Sequence, residues 1–152
     1  MSSDWRTDGV RVIPGDALDD NTPQTSGMHR AAAVTLDRAG AQKLWAGTAT
    51  IHPGARTGAH HHGGLESVIY VVRGLARMRW GRKLEFTAEA GPGGFIFVPP
   101  WVPHQEINAR SDEPLECVVT RSGQDPVVVN LEIDDVAEPE HVPWVDPTHP
   151  RR

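Results

Sequence analysis

The chain has a single cysteine, Cys117, in 152 residues. It cannot close an intrachain disulfide, so its fold must rest on packing. Aromatic residues make up only 6%, with one tyrosine, Tyr70. No apolar run is long enough to span a membrane as a helix. The N-terminus MSSDWRTDGVRV lacks the apolar centre of an export signal. A cytoplasmic location is therefore expected. A basic surplus is missing as well: 15 Lys and Arg against 20 Asp and Glu give a net charge of −5, and only Arg151 and Arg152 form a basic tail. That balance argues against nucleic acid and anionic membranes as partners and leaves small molecules as the expected ligands. No helix-period pattern of useful length occurs, and there is no internal repeat.

What is present favours strands and turns. Hydrophobic content of 38% and charged content of 23% suit one soluble domain, and 15 Gly with 13 Pro favour many turns over long helices. The expected fold is all-β. Residues 1–29 read as an N-terminal arm, either lying over a barrel edge or partner subunit or forming a loose tail. Residues 30–131 read as the β-domain, opening with a hairpin of strands 31–36 and 43–51. Residues 132–152 read as an acidic, proline-rich tail that Trp144 could tack onto the body.

Gly54 to Gly74 carries the chemistry. His60 and His62 are two apart, so on an extended segment both imidazoles leave one face, within reach of a shared ion, while His61 points away. Gly63 and Gly64 permit a reversal, after which the run Ser67 to Val72 can pair back and bring Glu66 beside the two histidines. A third imidazole is needed. His104 is the candidate, because it follows a loop stiffened by Pro99, Pro100 and Pro103 that can hold it at fixed geometry.

The spacings around these residues resemble the two motifs of the cupin superfamily. Gly54, His60, His62, Glu66 and Gly74 resemble the first, G(X)5HXH(X)3-4E(X)6G. Gly93, Pro99, His104 and Asn108 resemble the second, G(X)5PXG(X)2H(X)3N. Trp101 stands where the second motif has glycine, so the loop there is expected to take another shape and to place a large aromatic at the barrel mouth. Gly74 lies one residue late for Glu66; counting back from it lands on Ser67. Only a β-bulge that takes up the extra residue would turn Glu66 inward. The resemblance implies an antiparallel β-barrel or jelly roll, frequently a homodimer, that holds one divalent transition metal (Fe, Mn, Ni, Cu or Zn). His60, His62 and His104 are the implied ligands, joined by Glu66. It leaves open whether the chain is an enzyme, an oxygenase ahead of an isomerase or lyase, or a non-catalytic small-molecule binding or sensor module.

Other residues are weaker candidates. Glu106 shares the face of His104 and is either an acid/base group or a rim charge. Tyr70 has the parity of Glu66 and is a possible proton donor if that face is inward, or else a packed aromatic. Arg77 and Arg79 share a face that is expected to be exterior. Cys117 has core parity, and Phe95, Phe97, Val98, Trp101 and Val102 are expected to wall the pocket.

Overall fold

Strand β4 (Ser67–Arg73) shows how the chain selects its form. Its β-branched residues favour extended backbone, and burial alternates, with Ser67, Ile69 and Val71 inward and Val68, Tyr70 and Val72 outward. The same half-buried pattern runs through β2 (Trp45–Ile51), β8 (His104–Asn108) and the first half of β9 (Leu115–Arg121). In the computed structural model, which describes residues 4–125 and 127–149, these strands belong to two facing sheets.

One sheet has the order β1-β2-β9-β4-β7, with β1 spanning Met28–Val34 and β7 Phe95–Val98. The other has the order β10-β3-β8-β5-β6-β11 and adds β3 (His60–His61), β5 (Ala76–Trp80), β6 (Phe86–Ala90), β10 (Val129–Asn130) and β11 (Glu140–His141). Every pairing is antiparallel except β11 on β6. Two four-residue helical turns, α1 (Trp5–Asp8) and α2 (Leu36–Ala39), complete the described elements. This is the expected all-β antiparallel barrel.

Ile51, Ile69, Val71, Met78, Val98 and Leu115 close the core between the sheets, with Cys117 among them. The connection between the two strands of the expected hairpin is α2, because the Thr35 hydroxyl accepts from Arg38 N and Gly40 ends the turn in the left-handed conformation. No helix among the described residues is long and apolar enough to cross a membrane.

Both terminal segments are tied to the barrel. In the segment 1–29, Asp19 bridges Ala32, and the Gln24 side chain bonds both the N–H and the carbonyl of Arg30. In the segment 132–152, Val136 N donates to Lys83 O, β11 pairs with β6, and Val142 N donates to Thr87 O. The tail thereby covers a sheet edge. Arg79 holds it from outside the barrel, with Nη1 on Asp135 Oδ2 at 3.0 Å and Nη2 on the Val136 carbonyl. Trp144 is 79% exposed, so these contacts, and not its indole, do the anchoring. Residues 1–3 of the arm and 150–152 of the tail lie outside the described residues.

Candidate metal centre

The short strand β3 exists because its neighbour fixes it. His60 pairs directly with His104 of β8, so the two imidazoles leave the same inner face side by side. His62 follows at the turn, where Gly63 takes φ 59, a conformation open to glycine at little cost. All three are buried, at 0%, 7% and 1% exposure for His60, His62 and His104. Their ligand atoms all lie within 4.8 Å of one another.

The backbone sets the tautomers. Nδ1 of His60 lies 2.9 Å from Gly58 O, Nδ1 of His62 2.9 Å from Val127 O, and Nδ1 of His104 3.0 Å from Val102 O. A carbonyl only accepts, so each Nδ1 carries the hydrogen and each Nε2 is left for another partner. Nε2 of His60 and of His104 are buried with no hydrogen-bond partner among the described residues. Three nitrogen donors oriented this way fit a divalent transition ion. Burial pushes the His62 pKa down to about 4 and also lowers that of His104, so both are neutral at pH 7.

Glu106 completes the cluster. Two residues beyond His104 and 7% exposed, it sets Oε2 3.4 Å from His60 Nε2 and Oε1 3.9 Å from His104 Nε2. Burial opposes its ionisation, but the contact with His60, the pull of His104 and His60 when protonated in acid, and the charge of Arg30 outweigh burial and hold the carboxyl at about 2. For His60 itself burial disfavours the charged form, yet Glu106 outweighs it and raises the pKa. Metal binding would displace that proton.

Two expected site residues stand elsewhere. Glu66 is exposed and does not join the histidines; its backbone is engaged, with N donating to Ser122 Oγ and O accepting from Ser122 N. The bulge that could have turned it does exist, but between Val71 and Arg73. From Ser67 to Val71 the alternation is strict, so Ser67 holds the inward position and Glu66 the outward one. Tyr70 shares that outward parity and packs against Phe95, with ring centroids 4.8 Å apart, on the outer surface.

Trp101 also corrects the expectation. The loop keeps the backbone shape a glycine would give it: Trp101 has φ 67, with its N–H donating to Gly63 O at 2.8 Å. Its ring is 67% exposed, beside His61, and outside the pocket. His61 points away from the three histidines and accepts from Gly63 N through Nδ1. Arg77 lies outside, paired with Glu89 at 2.7 Å, as expected of that face. Burial raises the Cys117 thiol to about 12, which leaves it a core residue and no nucleophile.

A groove with a volume near 700 Å³ runs from the edge of the barrel to His104. Phe95, Phe97, Val98 and Val102 line it as expected, and Trp80 and the tail residues 141–145 form further walls. Two buried residues of the interior, Arg30 and Arg121, were not expected from the sequence. Arg121 had a readable signal, since it shares the parity of Leu115, Cys117 and Val119.

The cupin domain family matches residues 47–121, a span that contains all three histidines and Glu106. No protein of curated function matches the sequence significantly. Among solved structures, an uncharacterized conserved protein with a double-stranded β-helix domain from Klebsiella pneumoniae is 17% identical with a TM-score of 0.62, over 81% of this chain and 98% of that one. Oxalate decarboxylase from Bacillus subtilis is 22% identical with a TM-score of 0.60, over 71% of this chain and 28% of that one. This chain thus spans less than a third of the decarboxylase. Motif residues, barrel and family match agree, and the chain belongs to the cupin superfamily.

Proposed function

We propose that this chain is a metal-dependent cupin enzyme acting on a small organic molecule. His60, His62 and His104 hold one divalent ion, drawn from Fe, Mn, Ni, Cu and Zn, and Glu106 handles protons beside it. The observation that carries this reading is the set of Nδ1 to carbonyl bonds, which commits the Nε2 atoms of three buried histidines to one small volume. Such bonds fix ring orientation ahead of binding, which lowers the cost of assembling a site. The ion would supply Lewis-acid or redox chemistry, with positions left open by only three protein nitrogens.

Glu106 is buried and beside the ligand nitrogens, so it is placed to take a proton from a substrate held there once the ion has displaced the His60 proton that holds its carboxyl low. The apolar groove that ends at His104 receives the rest of the substrate and excludes water. Oxygenation stands first among reactions because open positions allow a co-substrate to bind; isomerase or lyase chemistry would rely more on Glu106. Mn(II) centres are described for Bacillus subtilis oxalate decarboxylase, a protein of the same fold, which supports Mn(II) among the candidates.

A second reading, a binding module without turnover, is favoured by the tightness of the interior. The cavity beside the histidines measures about 10 Å³, room for about one water. Metal analysis of purified protein and of His104→Ala tests the site; equal stoichiometry in both would overturn the ligand assignment. Water-proton relaxation of the Mn(II)-loaded protein separates the two readings. A rapidly exchanging water on the ion is expected for an enzyme, and its absence would favour the binder. Val68, Tyr70, Val72, Phe95 and Phe97 form an exposed apolar face that supports a homodimer through β4 and β7, which light scattering would detect.

A further inference from the structure

Arg30 of β1 is 5% exposed and Arg121 of β9 is 6% exposed, and neither has a part in holding the ion. Both line the small cavity that also touches His62, His104 and Glu106. Guanidinium groups are seldom buried unpaired, because water solvates them far better than a protein interior does. Yet among the described residues neither guanidinium has a salt-bridge partner; Glu106, the acid of the cavity, lies against His60 and His104 instead. Nε of Arg121 has no hydrogen-bond partner at all among them.

The placement of Arg121 is built into the sheet. Trp45, Arg121 and Ser67 occupy one rung across β2, β9 and β4, and all three are buried. The guanidinium carbon lies 4.1 Å from the Trp45 ring centroid, a cation–π contact that holds the side chain without consuming its N–H donors. Gly47 leaves room for that indole, since a Cβ there would sit 2.8 Å from the ring. Burial lowers the Arg121 pKa to about 10, which still leaves it charged at neutral pH.

Among the described residues the cavity is therefore lined by two guanidiniums against one carboxylate, and a divalent ion would widen the positive surplus. We propose that Arg30 and Arg121 form a carboxylate-binding subsite on the barrel wall facing the three histidines, and that the ligand of this protein is a small carboxylate. The planar fork of a guanidinium matches two carboxylate oxygens, and the cavity between them, with room for about one water, favours so compact a headgroup, which enters as the side chains around it move apart. Val98 and His104 border both this cavity and the large groove, so the remainder of the ligand passes between them. The proposal rests on the metal-centre reading for the other end of the ligand only.

Titration calorimetry with malonate and with neutral malonamide tests it, on metal-loaded wild type, Arg30→Met and Arg121→Met. Malonate is expected to bind wild type and malonamide not. Each Met variant is expected to bind malonate about tenfold or more weakly, from the lost charge-assisted hydrogen bonds, with metal content unchanged. Each should also keep or raise Tm, because a buried charge gives way to an apolar chain of similar size. Unchanged malonate affinity in both Met variants would mean that malonate sits on the ion alone and would overturn the proposal. So would a lack of malonate binding by wild type at millimolar concentration, or preference for phosphate over malonate. If the Met variants fail to fold, Arg121→Lys keeps the charge and loses the fork, and an undiminished affinity in it overturns the proposal equally. Arginine-dependent malonate binding by chelated wild type would sustain the subsite even if the metal analysis failed.

Discussion

Without its ion, the protein is expected to lose stability in mild acid through His62. Its pKa falls from 6.5 to about 4 on folding, with burial as the main cause. Between those values the unfolded chain binds a proton that the folded one refuses, so stability rises with pH there and falls as pH drops from 6.5 toward 4. The loss over that window is about 3 kcal/mol, since each pH unit between the two values costs about 1.4 kcal/mol. His104, also lowered by burial, adds to the loss in the same direction. His60 is raised, so it is protonated in both states below 6.5; its contribution is complete there and fades only as pH rises through its folded value. Glu106, held at about 2 against an ordinary 4.5, loses its contribution as pH falls from 4.5 toward 2, so it adds to the loss only at the acid end of the window. Urea unfolding of chelated protein at pH 7 and pH 4 measures the sum. His62→Gln, whose amide can still donate to Val127 O, should lose about 3 kcal/mol less than wild type between the two pH values. An equal loss in the variant, or none in wild type, would refute the reasoning.

Glu66→Ala should leave metal affinity unchanged, whereas Glu106→Ala should weaken it about tenfold or more through loss of the buried carboxylate; competition with a chelator reads both. Trp101→Asn should match wild type in Tm, while Trp101→Val should cost about 1 kcal/mol, because a β-branched residue resists φ 67 more than asparagine does. Gly47→Ala would set a Cβ 2.2 Å from Ala31 O and 2.8 Å from the Trp45 ring, so a loss of about 2 kcal/mol or more in chemical denaturation is expected. Leu115→Ala, at 2% exposure, should cost about 2–5 kcal/mol by the same measurement.

Much of this was legible residue by residue. The strands at 95–98 and 115–121 could be read because apolar runs bounded by Gly and Pro leave few alternatives. His60 and His104 could be paired because the spacing of two motifs carries the information. The strand 140–141 was not legible, since the acidic tail shows no pattern of its own and is extended by hydrogen bonds from β6. The histidine pair was read as lying on an extended segment, and regular pairing there covers His60 and His61.

By itself the sequence determined the all-β class and the three candidate histidines, because side-chain parity and turn residues are local properties of the chain, and the barrel followed from the resemblance of its two motifs to the cupin superfamily. Only the tertiary structure decided which acid stands beside those histidines. Glu66 and Glu106 both had plausible parity, and the outcome turned on where β4 takes up its extra residue, a matter of pairing with β9. It also decided the fate of the arginines. Arg79 is covered outside by the tail, while Arg30 and Arg121 enter the barrel from separate strands, and no local pattern shows that two such chains end in one cavity.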